Sequence, residues 1–298
     1  MTAKRRVGRR RLSSRGALLV VGLFALGGLV LWGLFQAPRA MSPVVPTTAG
    51  WGVPERSLRF ASFNVLHLQR GLDAVVREIK AIDPDFVLLQ EVESRDVIAL
   101  ARALGMQEHH HPNAYYASVN LDGPKATWGN LILAKHPLYE AGPIPNPGGG
   151  SFGVWAVSVV DGKNFVIANV HLSATWNASP IHIKQSGENR AKEIANLLDA
   201  WRERGSPPIV VGGDFNQIPF GNNYFTMTES LTDALASLGK NDMTFGSGLL
   251  STRIDYFLTS PPWRATDGAV VESGASDHRL IWTTLARSDE HLLKTPRP

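Results

Sequence analysis

Short apolar runs recur along this chain, and most of them meet, at one end, a side chain that a buried strand would not choose for packing. Leu58 to Val65 carries Asn64 near its end, and Phe86-Val87-Leu88-Leu89-Gln90-Glu91-Val92 carries Glu91. Phe165 to Leu172 carries His171, Ile209 to Phe215 carries Asp214 with Asn216 just beyond, Ile254 to Leu258 contains Asp255, and Asp277-His278 stands directly before Leu280 to Leu285. Apolar runs of about four to eight residues suit strands covered on both faces. Asn, Asp, Glu and His are costly inside unless paired, so these strand ends are expected to converge. Between the runs, Leu72, Val75, Val76 and Ile79 keep helical spacing until Pro84, and a helix is expected from Ser94 to Leu104. Ile194, Leu197, Leu198 and Trp201 share a third helical face, ended by Gly205 and Pro207-Pro208. Asn130 to Ala134, Phe152 to Val160 and Ala269 to Val271 complete the strands, with a hairpin turn at Asp161-Gly162. The pattern predicts two packed sheets covered outside by helices, in one domain over residues 56–287 with a tail at 288–298.

Ahead of that domain, Ala17 to Phe35 is a stretch of 19 residues without a charge. As a helix rising about 1.5 Å per residue it spans the roughly 30 Å hydrocarbon layer, and unlike a buried core helix it has no polar face. Seven Lys or Arg precede it and only Arg39 follows closely. The positive-inside bias therefore puts residues 1–16 in the cytoplasm, residues 17–35 across the membrane and the domain outside. A cleaved signal peptide is the rival reading. The apolar stretch is longer than the usual signal core, and the best cleavage site, at Ala40, puts Pro38 where a small residue is wanted. Residues 36–55, with Pro38, Pro43, Pro46 and Pro54, read as a semi-rigid linker.

The absence of cysteine excludes thiol catalysis and zinc–thiolate sites. In Gly212-Gly213-Asp214-Phe215-Asn216 a strand's period of two sets Asp214 and Asn216 on one side and turns Phe215 to the core. Taken with Ser62-Phe63-Asn64, Leu88-Leu89-Gln90-Glu91-Val92, Trp128-Gly129-Asn130-Leu131-Ile132-Leu133, Asn169-Val170-His171-Leu172, Arg253-Ile254-Asp255-Tyr256 and Ser276-Asp277-His278, this segment resembles the endonuclease/exonuclease/phosphatase superfamily. That is the fold of deoxyribonuclease I, AP endonucleases, sphingomyelinases and inositol-phosphate phosphatases. The resemblance implies an α+β, four-layer α/β/β/α sandwich. It implies a metal region at Glu91, Asn64 and Asp277, where oxygen donors suit Mg²⁺ or Mn²⁺. Asp214 resembles the residue that orients and deprotonates the attacking water, and Asn216 one that holds it together with a phosphate oxygen. His278 resembles the histidine bonded to the scissile phosphate, its ring fixed by Asp255. His171 resembles a second phosphate contact, and Asn130 a supporting, substrate-binding amide. Each has a structural alternative: a strand-end cap for Asn64, an ion pair for Glu91 or Asp214, a satisfied core histidine for His171. His109-His110-His111 reads as solvated surface, and Trp128, Trp176 and Trp263 as core aromatics, substrate-stacking rings or membrane-interface contacts. Leu66 stands where AP endonucleases place an acidic residue, which argues against abasic-site repair, and Glu193 stands where the superfamily often has Gln.

Charge narrows the substrate. Of 30 Lys and Arg, eight lie in residues 1–50, leaving 22 against all 26 Asp and Glu in the rest of the chain. A mildly acidic body lacks the basic footprint of a duplex binder. The reading preferred on sequence is a Mg²⁺-dependent phosphohydrolase of a lipid-linked or small phosphodiester or pyrophosphate at the outer membrane face. The alternatives are an anchored extracytoplasmic nuclease acting on DNA or RNA, and a non-catalytic binding scaffold.

Overall fold

The computed structural model describes residues 49–106, 114–118, 128–147, 150–175 and 177–288. Along the chain come β1 (Gly50–Trp51), β2 (Leu58–Asn64), α1 (Leu72–Ile82), β3 (Phe86–Glu93), α2 (Val97–Ala103), β4 (Ala114–Ser118), β5 (Trp128–Ala134), β6 (Leu138–Pro145) and β7 (Ser151–Val160). There follow β8 (Lys163–His171), α3 (Pro180–Glu203), β9 (Ile209–Asp214), α4 (Asn222–Thr228), β10 (Thr232–Asp233), α5 (Ala234–Ser237), β11 (Asp255–Thr259), β12 (Trp263–Val271) and β13 (Leu280–Arg287). One sheet runs β10-β11-β9-β8-β7-β6, with β1 alongside β8; the other runs β12-β13-β2-β3-β5-β4.

Side-chain alternation along these strands builds three apolar layers. Phe60, Phe86, Leu88, Ile132, Phe165, Ile167, Val210, Phe257 and Ile281 fill the space between the sheets. Their strand neighbours point the other way: Val166, Ala168, Val170 and Val211 pack under Ile194, Leu197 and Leu198 of α3, while Phe63, Val87, Leu89 and Leu131 pack under Val75, Val76 and Ile79 of α1. Strands covered on both faces explain the continuous apolar runs, and the four-layer expectation holds. Local signals place the helices. Ser179 caps α3 by accepting a hydrogen bond from the His182 amide at 3.3 Å, with Pro180 at the first helical position. Asp83, in the left-handed conformation, ends α1 just before Pro84. Asp161 and Gly162, both at positive φ, make the expected tight turn between β7 and β8.

The sequence reading leaves out the short helices α4 and α5, and the main strands it misses or shortens lie at sheet edges. β6 carries Pro143 and Pro145, which an edge strand tolerates because its outer N–H groups are not needed for pairing. β12 begins at Trp263, six residues earlier than expected, because a register shift between Ala265 and Asp267 breaks its alternation. β4, the opposite edge of that sheet, has no apolar run to announce it. Among the described residues no helix is long and apolar enough to cross a membrane. The expected span at residues 17–35, with residues 1–16, His109-His110-His111 and Trp176, lies outside the described residues.

Gly213 shows how tightly the sheet is closed near its polar end. Its φ is +145°, and a Cβ there would sit 2.0 Å from the Val170 carbonyl oxygen of the neighbouring strand. Gly213→Ala is expected to cost about 2–5 kcal/mol through overpacking and backbone strain. Gly162→Ala, left-handed but with open space around it, is expected to cost about 1 kcal/mol. Urea denaturation of the two variants checks the difference.

Candidate active site

The inward-facing row of each strand becomes polar at the same end of the sandwich. Leu88 is followed by Gln90, Ile132 is preceded by Asn130, Ile167 leads to Asn169 and His171, Val210 leads to Asp214, and Phe257 is preceded by Asp255. Asn169 ties the layers together. Its amide donates to the Leu89 and Leu131 carbonyls at 2.8 and 3.0 Å, and its oxygen accepts from Gln90 Nε2 at 2.7 Å. Above this tie, Asn64 Nδ2 donates to Glu91 Oε1 at 3.0 Å and to Asp214 Oδ2 at 3.1 Å, joining β2 and β3 of one sheet to β9 of the other. Glu91 reaches that amide because it sits at φ 57° inside a bulge between Leu89 and Val92. A regular pleat would throw Gln90 and Glu91 to opposite faces; the bulge re-aims the carboxylate.

Around Asp214, 2% exposed, stand two imidazoles: His171 Nε2 at 3.5 Å and His278 Nε2 at 3.7 Å. His278 Nδ1 meets Asp255 Oδ2 at 3.1 Å, and Thr244 Oγ1 accepts the amides of Ile254 and Asp255 at 3.0 and 3.1 Å, which fixes the start of β11. A buried pair of Arg253 with Asp233 at 2.8 Å secures the same segment. Burial alone would pull His278 down. The Asp255 and Asp214 charges, the hydrogen bond to Asp255 and the Asp277 charge outweigh it and hold the ring up at about 10. Asp255 moves up from the ordinary carboxylate range, because its complete burial and the Asp214 charge oppose the help of His278. The site therefore holds a proton on a ring that would be half neutral in water near pH 6.5.

A family model described as the Endonuclease/Exonuclease/phosphatase family matches residues 61–278, the stretch that contains every residue of the polar cluster. The chain belongs to this family. Its members are in general phosphoester hydrolases that depend on divalent metals. The fold is shared with a family protein from Beutenbergia cavernae at 22% identity and TM-score 0.59, over 78% of this chain and 72% of that one. It is shared with one from Bacteroides vulgatus at 18% identity and TM-score 0.62, over 78% and 100%. The human Nocturnin catalytic domain with bound sulfate matches at 17% identity and TM-score 0.60, over 78% and 94%. No curated protein matches the sequence.

Of the residues expected from sequence, Asn64, Glu91, Asp214, His171, His278 and Asp255 form one connected cluster. Asp277 lies beside it, its carboxylate accepting from Ser276 Oγ at 3.3 Å and its charge felt by His278. Asn130 is buried, and neither its amide nitrogen nor its oxygen has a partner among the described residues. Asn216 departs from the period-two expectation. The strand ends at Asp214, whose Oδ1 accepts the Asn216 amide N–H at 2.9 Å in a turn. Asn216, at φ 48°, donates its side-chain amide to the Leu172 carbonyl at 3.0 Å, while Phe215 does enter the core. A side chain of Asp hydrogen-bonding its own backbone two residues on competes with strand continuation. His67 is the neighbour that sequence reading missed. Leu66, His67 and Leu68 all have positive φ, and this left-handed turn brings His67 Nε2 to Glu91 Oε2 and Nδ1 to Glu93 Oε1, each at 3.1 Å. No glycine marks the turn, so no signal for it was available.

Family metals are divalent, and the donors present are oxygens with imidazole. Asp214, Asp255 and His278 offer ligand atoms within 4.8 Å of one another, a group that could hold an ion. While His278 carries its proton it has no lone pair to give, so the remaining donors for a hard cation are the carboxylates. Of these Glu91, at 18% side-chain exposure, and the exposed Asp277 are the accessible ones, whereas Asp214 and Asp255 are buried.

The raised His278 value has a sign that can be checked. A pKa held up in the folded state means stabilisation fully present below about pH 6.5 and lost as pH rises through about 10. In metal-free protein, the His278 ring resonances are expected to stay at their protonated positions from pH 6 to 9 in NMR titration. In Asp255→Asn the midpoint falls by at least about one unit.

Proposed function

We propose that this protein is a divalent-metal-dependent hydrolase that directs water at the phosphorus of a phosphodiester or pyrophosphate in a small or lipid-linked substrate. The observation that carries the reading is Asp214: a buried carboxylate flanked by Asn64 Nδ2 at 3.1 Å and by two imidazole nitrogens at 3.5 and 3.7 Å. Its oxygens accept hydrogen bonds without being closed off by an Arg or Lys, so one remains able to orient a water and take its proton. His278, kept charged by Asp255, donates from Nε2 to a phosphoryl oxygen as negative charge builds there. His171 supplies a second donor. The buried amide of Asn130 has no partner among the described residues, and a substrate oxygen at this end of the sandwich would supply one. Glu91, with Asn64 and Asp277, would hold Mg²⁺ or Mn²⁺, which supplies charge neutralisation at the phosphoryl and leaving oxygens. In the same reading residues 17–35 anchor the chain with residues 1–16 in the cytoplasm and the catalytic domain outside, supported by the apolar stretch and its basic flank.

Hydrolysis of bis(p-nitrophenyl) phosphate in Mg²⁺ is expected to fall by about 10²–10⁴-fold in Asp214→Asn and in His278→Ala. EDTA is expected to abolish it, and added Mg²⁺ to restore it. Wild-type turnover in both variants would move the chemistry away from this cluster, and no turnover of any phosphoester would turn the conclusion to a binding scaffold. Nicking of plasmid DNA without turnover of phospholipid or polyprenyl pyrophosphate would turn it to a nuclease.

A further inference from the structure

Glu91 has a neighbour that the chemistry above leaves without a role. Its Oε1 is taken by the Asn64 amide at 3.0 Å, whereas Oε2 faces His67 Nε2 at 3.1 Å. The other ring nitrogen, Nδ1, meets Glu93 Oε1 at 3.1 Å, and the Trp128 ring stands against the imidazole at 86° with centroids 5.4 Å apart. Among the described residues neither Glu91 nor Glu93 forms an ion pair with a Lys or Arg. Placing the imidazole there strains the backbone. Leu66, His67 and Leu68 take φ of 47°, 53° and 54°, a left-handed turn made without glycine, and Asn64 Oδ1 starts it by accepting the Leu66 amide at 3.1 Å. Such strain persists only where the surrounding structure over-determines it, and it concentrates at ligand clamps and active sites. One asparagine thus positions both Glu91 and the turn that carries His67.

The spacing suits a shared ion. Two donor atoms bound at about 2.1 Å and at right angles on one octahedral ion lie about 3.0 Å apart, close to the 3.1 Å between Glu91 Oε2 and His67 Nε2. With the Nδ1 proton given to Glu93, the Nε2 lone pair turns toward Glu91, and a carboxylate behind the ring is the usual partner of a metal-bound histidine. A lone pair facing a carboxylate oxygen is unfavourable until a cation lies between them. The His67 and Glu91 side chains stay partly open, at 29% and 18%, so an ion can reach them from solvent.

We infer that His67 Nε2 is a metal ligand beside Glu91, with Glu93 as the positioning residue that fixes the tautomer of the ring. The inference rests on the metal-dependent reading above and refines its ion. An imidazole in the donor set favours a divalent transition ion, Mn²⁺ or a later one, over Mg²⁺.

The test uses the full, tag-free chain in detergent, stripped with EDTA and given one equivalent of Mn²⁺. Pulsed EPR is expected to show the nitrogen hyperfine coupling of a bound imidazole in the wild type and in His171→Asn. The coupling is expected to vanish in His67→Asn, chosen because Asn accepts the left-handed conformation. Calorimetric titration is expected to show the Mn²⁺ Kd of His67→Asn weakened by at least about tenfold and its Mg²⁺ Kd by less than about threefold. Glu93→Leu, which removes the acceptor behind the ring, is expected to weaken Mn²⁺ about tenfold, and an unchanged Kd there takes the positioning role from Glu93. Coupling that survives in His67→Asn, or equal weakening for the two ions, overturns the ligand assignment and leaves metal dependence standing. Mn²⁺ bound to the wild type without any nitrogen coupling overturns it as well, whether or not the variants fold. If neither ion binds the wild type, the metal-dependent reading falls together with the inference.

Discussion

The amide of Asn64 holds the molecule's working end together. It donates from one nitrogen to Glu91 at 3.0 Å on its own sheet and to Asp214 at 3.1 Å on the other. Two carboxylates brought this close repel unless something donates to both. A neutral amide does so without cancelling either charge, so the pair keeps its attraction for a cation and for a water proton. An Arg in the same place would satisfy both acids and leave them chemically inert. The ties below it serve that contact: Asn169 fixes the spacing of the sheets at this end, and the Leu89–Val92 bulge delivers Glu91 to the amide.

A second balance sits beside the first. Asp255 is completely buried and faces His278, and the price of burying that carboxylate is met by keeping the ring protonated. Arg253 with Asp233, the Thr244 hydroxyl and the Tyr256 hydroxyl, which donates to the Gln217 and Arg253 carbonyls at 2.7 and 2.8 Å, make the surrounding backbone rigid. Mobile groups would let water in and lower the field that the imidazolium feels. Asp214 stands between the two balances, within 4 Å of both histidines.

Much of this was legible in the sequence because burial and chemistry pull a strand in opposite directions. A run such as Leu88-Leu89-Gln90-Glu91 or Ile209 to Asp214 advertises a point where packing stops and another demand takes over. Seven motifs in order then gave the family, the layers and the residues of the cluster. Backbone conformation was what stayed hidden. The left-handed turn at Leu66, His67 and Leu68 uses no glycine, so His67 gave no sign that it folds back onto Glu91 and Glu93. Asn216 was expected to continue a pleat that Asp214 in fact ends. The edge strands β6 and β12 were missed or shortened because prolines and a register shift erase the alternation that marks a central strand, and β4 is a short segment without an aliphatic run.

The short strand β1 pairs with β8 through Gly50 and Lys163, at the beginning of a strand whose last residue is His171. At about 3.3 Å per residue, that contact is roughly 27 Å from the histidine. β1 therefore joins the sheet at the end remote from the polar cluster, so its backbone pairs brace the start of β8 and take no part in the site.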